Sequence, residues 1–228
     1  MAKIYDDQKG PKDEWAKLKK EPLKVKLQWL FQYYGLTAAV VLISIGILVS
    51  IAVTIIINRM PRVVVGEFFS EPADVSVNES VKEELCAKLG YEPNKYRIDI
   101  STMTGAFASE DAPLQTQRLI ARVNALDIDF VVANEKLFKD YTDPNDPVNC
   151  LFYDLRELLP EETLKALDAA GRLVYIETNE GPIPFYIDIN GTRFYELYKL
   201  TSGQAFFGVI FNAPDLPGVI ALIENYFL

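Results

Sequence analysis

The stretch LTAAVVLISIGILVSIAVTIII, residues 36–57, divides this chain into two unlike parts. It holds 22 residues without a charge, and as a helix it would be about 33 Å long, enough to cross the hydrocarbon core of a bilayer. Fourteen of the residues are Leu, Ile or Val, which together favour insertion by roughly 4 to 8 kcal/mol. The sequence therefore predicts one transmembrane helix over residues 36–58.

The charges on either side of this run predict its direction. Residues 1–27 carry eight Lys and five acidic residues, whereas residues 59–228 carry 15 basic and 27 acidic residues. Because the cytoplasmic flanks of membrane helices are rich in Lys and Arg, we expect residues 1–35 to form a basic cytoplasmic tail and residues 61–228 to lie outside the cell membrane. A cleaved signal peptide is the alternative, but the run is longer than a typical signal core and no small-residue cleavage site follows it.

Aromatic and basic residues mark both ends of the predicted span. Trp29, Tyr33 and Tyr34 precede it, where amphipathic rings settle at the headgroup level, and Arg59 and Arg62 follow it. The tail before them mixes apolar residues with lysines. It fits an amphipathic segment on an anionic leaflet and a solvated basic flank equally well, and Pro22 is expected to interrupt any continuous helix.

Composition excludes several classes of function for residues 59–228. The excess of acidic residues repels phosphate backbones, so we expect no nucleic-acid partner. The chain has no His, only two Cys and no Gly-rich phosphate loop, so we also expect no metal, no cofactor and no His-based catalysis. Cys86 is expected in a helical core. Whether Cys86 and Cys150 form a disulfide is left open by the sequence.

Strands and helices alternate in residues 61–228, which predicts a mixed or parallel sheet flanked by helices. A helix capped by Asp111 is predicted to turn an apolar face made of Leu119, Ile120, Val123 and Leu126 to the core. The predicted strands are residues 62–69, 96–102, 130–133, 173–177, 183–189 and 206–211. The other predicted helices are residues 79–89, 160–170, 195–198 and 216–227.

This domain resembles the extracytoplasmic solute-binding proteins of bacteria, which have the periplasmic-binding-protein type 2 fold. Four stretches carry the resemblance: RLIARVNALDIDFVVANEKLF (118–138), LFYDLRELLPEE (151–162), GPIPFYIDI (181–189) and FFGVIFNAPDLPGVIALIENYFL (206–228). The domain has roughly half the length of a two-lobed protein with about 100 to 150 residues per lobe. The resemblance therefore implies a reduced α/β form of that fold. The membrane anchor is predicted by the apolar run and is unusual for the family.

Ligands of open α/β sheets bind where strands end, so polar residues after the predicted strands are the candidate ligand-binding residues. Asn134 has two interpretations: its amide could bind a polar ligand, or it could cap the helix that begins near Glu135, which is the commoner role. The full candidate set is Thr102, Thr104, Asn134, Glu135, Asp188 and Asn190.

Asp127, Asp129 and Asp188 could in principle provide paired carboxylates for acid and base catalysis. Most carboxylates in so acidic a domain are solvated, so we expect no enzyme and no catalytic residue. We expect a membrane-tethered binding module without chemical turnover, with the lipid bilayer and either a small solute or an envelope or transporter protein as partners. The alternative is a structural or assembly subunit that has lost its ligand and docks a partner protein.

Overall fold

The computed structural model describes residues 22–69, 72–103, 112–143, 150–179, 181–201 and 203–228. The chain divides into two compact units between Arg59 and Met60. In the first unit, the described element is helix α1, Leu23–Arg59. The second unit contains every other described helix and strand.

Helix α1 has 37 residues and begins directly after Pro22, whose fixed φ and missing N–H suit a helix start. Its segment Gly35–Ile56 is long and apolar enough to cross a membrane, judged by length and composition. Ser44 and Thr54 donate to the carbonyls of Val40 and Ser50, both at 2.8 Å, as expected for hydroxyls in an apolar helix.

The helix also covers residues that were assigned to the tail. Because α1 runs without a break from Leu23 into the apolar run, residues 23–35 belong to the same helix, and Pro22 limits that helix rather than interrupting it. The predicted tail residues 1–21 lie outside the described part of the chain.

The second unit is an α/β fold built on a six-stranded mixed sheet, which confirms the fold class at that level. The strands are β1 (Arg62–Phe69), β2 (Arg97–Met103), β3 (Phe130–Ala133), β4 (Leu173–Thr178), β5 (Gly181–Asp188) and β6 (Phe206–Val209). Their order in the sheet is β2-β1-β3-β6-β5-β4. β1 pairs in parallel with β2 and β3, while the pairs β3–β6, β6–β5 and β5–β4 are antiparallel.

Seven helices are described in this unit, and two short 3₁₀ helices accompany them at residues 75–77 and 93–95. The helices are α2 (Asn78–Leu89), α3 (Ala112–Asn124), α4 (Glu135–Tyr141), α5 (Leu155–Leu158), α6 (Glu161–Ala169), α7 (Arg193–Leu197) and α8 (Leu216–Tyr226). Gly90 ends α2 in the left-handed region at φ 72°, where a residue without Cβ avoids strain.

Two apolar cores lie on the two faces of the sheet. On one face, α2 and α8 pack against β-strand residues that include Phe68, Phe130 and Phe207. On the other face, α3 and α4 pack against residues that include Phe69 and Val131. The connection β1–α2–β2 therefore covers one face and the connection β2–α3–β3 covers the other, as in a doubly wound sheet.

The predicted apolar face of α3 is partly wrong. Leu119 and Val123 are fully buried, but Ile120 is 39% exposed and Leu126 is 51% exposed. Leu126 follows the end of α3 and has a positive φ of 54°, so the turn carries it off the helical face. Asp111, the predicted cap, lies outside the described residues.

The two cysteines are free thiols. Cys86 is buried in the core on the α2 side, as predicted, whereas Cys150 packs against the core on the α3 side. The sheet thus separates them. Burial raises the pKa of each thiol, which favours the protonated, unreactive form.

Candidate functional site

The carboxyl ends of β2, β1, β3 and β5 lie along one edge of the sheet, which we call the carboxyl edge. Ala133 at the end of β3 and Asp188 at the end of β5 both pair with Phe206, the first residue of β6. The ends of β3 and β5 are therefore about 10 Å apart, two strand spacings. The structure brings most of the predicted site residues to this one edge.

Thr102 lies on the other side of β1, where it pairs with Phe68 near the end of β2. Its side chain is half-buried. Thr104, the other candidate on this strand, lies outside the described residues. Thr102 and the end of β3 are again two strand spacings apart, so the candidate residues are distributed along the edge rather than clustered.

Asn134 caps a helix, as the commoner interpretation predicted. Its Oδ1 accepts a hydrogen bond of 3.2 Å from the backbone N–H of Leu137 in the first turn of α4. Glu135, the first residue of α4, forms an ion pair of 2.8 Å with Lys139 one turn further on. Both side chains remain partly exposed at the carboxyl edge.

Asp188 and Asn190 form a tight turn at the end of β5. Asp188 Oδ1 accepts from the backbone N–H of Asn190 at 2.9 Å and also from its side-chain amide. Asn190 Oδ1 in turn accepts from the N–H of Ala205 at 3.2 Å, and its carbonyl accepts from Arg172 at 3.0 Å. These contacts join the ends of β5, β6 and β4, so both residues have a structural role here.

An aromatic group beside α4 was not predicted from the sequence. The ring of Tyr186 stacks on Phe138 with centroids 4.9 Å apart and meets Phe206 edge-on at 5.6 Å. Burial, together with the charge of Glu135, raises the pKa of the Tyr186 phenol. To predict this group, one would have to know which face of the sheet each residue of β5 points to. Because β5 is buried on both faces, its sequence does not show this.

From the opposite edge of the sheet, which we call the amino edge, a network of ion pairs extends along β1 to the end of α3. Glu67 in β1 is 1% exposed, and its Oε2 lies 2.6 Å from Nη1 of Arg122 in α3. Arg122 also donates to the carbonyl of Asp127 at 2.9 Å, and Asp127 pairs with Arg62 at the start of β1. The network fixes the end of α3 to β1.

Asp129, which directly precedes β3, is fully buried in the same region. Its carboxylate accepts from the N–H of Val65 at 2.6 Å and from the N–H of Asp215 at 2.9 Å. Burial raises the pKa of Asp129 to about 6, and the nearby charge of Asp215 acts in the same direction. Asp129 thus connects β1, β3 and the turn before α8.

The three aspartates considered for acid and base catalysis do not meet. Asp127 and Asp129 lie at the amino edge and Asp188 at the carboxyl edge, with the four residues of β3, about 13 Å, between the two edges. The expectation that such carboxylates are solvated is wrong for Asp129. Among the described residues, no group of three or more Asp, Glu and Cys could hold a metal ion.

Comparison with family models, with curated proteins and with solved structures gives no match to this chain. The fold and the geometry of the two sheet edges are therefore the basis for an inference about function.

Proposed function

We propose that this is a single-pass membrane protein whose outer α/β domain binds a small polar solute without chemical turnover. The observation that supports this most directly is that Thr102, Asn134 and Asp188 lie along the carboxyl edge. β1 begins at the other edge of the sheet, the amino edge, only three residues after α1 ends. In the proposed orientation the amino terminus is cytoplasmic and the domain is extracytoplasmic.

The topology of the sheet favours a ligand site at the carboxyl edge. The chain leaves β1 over one face of the sheet and enters β3 from the other, so a crevice is expected outside the ends of these two strands. Asn134 directly follows β3 at this place. A sheet of this kind is compatible with the proposed likeness to one lobe of a periplasmic-binding-protein type 2 fold.

Thermal unfolding of the full chain in lipid nanodiscs, with a panel of polar metabolites, tests this proposal. A compound that binds only the folded domain at 100 times its Kd stabilises it by about 2.7 kcal/mol, which raises Tm measurably. Thr102→Val, which removes only the hydroxyl, is expected to reduce that rise. The matched variant Thr178→Val at the amino edge is expected to keep it. An equal loss in both variants would contradict a site at the carboxyl edge.

A second candidate function is a structural or assembly subunit that docks a partner protein through the carboxyl edge. The observation in its favour is that the side chains of Asn134, Asp188 and Asn190 already make internal hydrogen bonds. A photo-crosslinking amino acid in place of Thr102, with Glu177 at the amino edge as the control position, tests this alternative. A defined crosslinked partner at position 102 alone, without any ligand-induced rise in Tm, would favour docking over solute binding.

A further inference from the structure

We propose that the amino edge of the outer domain rests on the lipid bilayer through a row of exposed and partly exposed aromatic and apolar side chains. This inference rests on the proposed membrane tether but goes beyond it, because it assigns a lipid-contacting surface to the folded domain. The row consists of Tyr91 and Tyr96, Leu126, and Phe211.

The covalent connection between the apolar helix and the first residue of β1 is short. Only Met60 and Pro61 lie between the last residue of α1 and the first residue of β1. Arg59 and Arg62 are three residues apart, so even in an extended chain they are separated by about 11 Å at most. With the helix across the bilayer and Arg59 at its end, the first residue of β1 must therefore lie close to the headgroups.

A pair of tyrosines lies beside the point of entry. The N–H of Arg97 donates to the carbonyl of Pro61 at 3.0 Å, which places Tyr96, the preceding residue, next to the incoming chain. The rings of Tyr91 and Tyr96 are parallel, with centroids 4.4 Å apart, and both are partly exposed. Tyrosine is enriched at membrane interfaces because its ring is apolar and its hydroxyl is polar.

Two exposed apolar side chains lie on the other side of β1. Leu126 is 51% exposed and Phe211 is 46% exposed. Their turns are neighbours, since the N–H of Leu126 and the side-chain amide of Asn212 both donate to the carbonyl of Val123, at 3.1 and 2.9 Å. The row from Tyr96 to Phe211 therefore crosses four strands, about 14 Å.

The backbone of Leu126 is a second indication of a surface function. Leu126 adopts φ 54°, a left-handed conformation in which Gly or Asn is the usual residue. A leucine there accepts backbone strain while exposing an apolar side chain to water. Contact with lipid gives that side chain an apolar environment.

The two acidic residues next to Leu126 and Tyr91 are both in ion pairs. Asp127, next to Leu126, is paired with Arg62, and Glu92, next to Tyr91, forms an ion pair of 2.8 Å with Lys95. The strong negative surface potential of membranes belongs to the cytoplasmic leaflet, whereas the proposed contact is with the opposite leaflet. Paired charges beside tyrosines are thus compatible with the headgroup region.

Quenching of single tryptophans by brominated lipids tests the proposal in the full chain. The chain has two tryptophans, Trp15 and Trp29, and both are replaced by Phe to give a tryptophan-free background. Phe211→Trp and Leu126→Trp then report on the amino edge. Leu228→Trp is the control, because Leu228 is 59% exposed and follows α8, which begins at the amino edge and runs toward the carboxyl edge.

In nanodiscs of lipid brominated in the upper acyl chain, we expect the fluorescence at positions 211 and 126 to fall by roughly half, as for side chains at the headgroup and acyl boundary. The fluorescence at position 228 should be unchanged. Far-UV circular dichroism of each variant verifies that the domain is folded. Equal quenching at positions 211 and 228 would overturn the proposal.

Two further outcomes are distinguishable. A tryptophan at position 211 that is protected from acrylamide but not quenched by bromine would be covered by protein, such as a second copy of the chain, and would also overturn the proposal. Restoring Trp29 alone tests the tether. If Trp29 is not quenched, the proposed membrane tether itself fails, whereas quenching of Trp29 without quenching at 211 rejects only the lipid contact of the domain.

Discussion

At the scale of single residues, the acidic side chains of Glu67 and Asp129 are buried inside the domain. Each has defined partners: Glu67 has the guanidinium of Arg122, and Asp129 has two backbone N–H groups. In the strand RVVVGEFF, an acid inside an apolar run was the visible indication of such a pair.

Glu67→Met leaves the guanidinium of Arg122 without its buried partner, and we expect the free energy of unfolding to fall by about 3 kcal/mol. Adding Arg122→Met is expected to recover part of this loss, because two apolar residues replace two buried charges. Urea unfolding of the full chain in detergent micelles, followed by far-UV circular dichroism, measures both effects.

The exposed ion pair between Glu161 and Lys165 provides the control for this experiment. Glu161→Met removes a pair whose side chains are 80% and 74% exposed, and is expected to change stability by less than about 1 kcal/mol. A double variant at positions 67 and 122 that is no more stable than Glu67→Met would contradict the role of Glu67 as a partner of Arg122.

Asp129 predicts an unusual dependence of stability on pH. Its pKa of about 6 in the folded domain is above the ordinary value of 3.8, so the folded state holds a proton more tightly than the unfolded state. The stabilisation from this group is complete below pH 4 and is lost as the pH rises through 6, by about 3 kcal/mol in total. We expect the difference in unfolding free energy between the wild type and Asp129→Asn to decrease from pH 4 to pH 7.5.

Asp74 gives a comparison of opposite sign. The ion pair with Lys199 and hydrogen bonds from Ser76 lower the pKa of Asp74 to about 2. The stabilisation from Asp74 is therefore present at neutral pH and lost as the pH falls below about 4.

A difference between the wild type and Asp129→Asn that rises with pH, or that is independent of pH, would contradict the raised pKa of Asp129.

At the scale of elements, β1 lies between β2 and β3 in the sheet. Gly66 shows how closely β1 is packed. A Cβ added at Gly66 would lie 2.0 Å from the buried ring of Phe130 on β3. Glycine inside a strand commonly marks such a close approach. The ring of Phe130 lies at Gly66 because β1 pairs with β3, which is a contact of the tertiary structure.

Gly66→Ala is expected to destabilise the domain by about 1 to 3 kcal/mol, because the rigid ring of Phe130 must move. Combining it with Phe130→Leu provides space for the new methyl group, so the two changes should be less than additive by about 1 kcal/mol. Strict additivity in urea unfolding would show that Gly66 and Phe130 are not coupled.

Helix α4 depends on its cap. Asn134→Ala removes the hydrogen bond to the N–H of Leu137 and should reduce stability by about 1 kcal/mol, whereas Asn134→Asp keeps a capping oxygen and should be close to neutral. Thermal unfolding of both variants measures the difference. If both variants lost the same stability, the capping hydrogen bond would not explain the contribution of Asn134.

At the scale of the whole molecule, the proposed topology can be tested by labelling with a membrane-impermeant maleimide. In a chain with Cys86→Ala and Cys150→Ser, a cysteine replacing Lys165, which is 74% exposed on α6, is expected to react in intact spheroplasts. A cysteine replacing Lys12 in the basic tail is expected to react only after lysis, since positively charged flanks stay in the cytoplasm. The reverse pattern would contradict the proposed orientation.

Local patterns were sufficient to predict most of the elements, because their causes are local. An apolar run of 22 residues needs no tertiary partner to be recognised as long enough to span a membrane. Strand residues 130–133 were predicted correctly from a short apolar run, and the helix boundary at Gly90 was predicted correctly from capping. The continuity of α1 before residue 36 was missed because Pro22 was judged to interrupt a helix rather than to begin one.

The sequence alone determined one apolar helix, an α/β domain after it and most of the strand and helix positions, since these depend on neighbours within a few residues. Only the tertiary structure decided the strand order, the pairing of Glu67 with Arg122, the burial of Asp129 and the separation of Asp188 from Asp127 and Asp129. These depend on contacts between residues far apart in the chain. Such contacts form only when both apolar faces of the sheet are buried at once, and no local pattern encodes that condition.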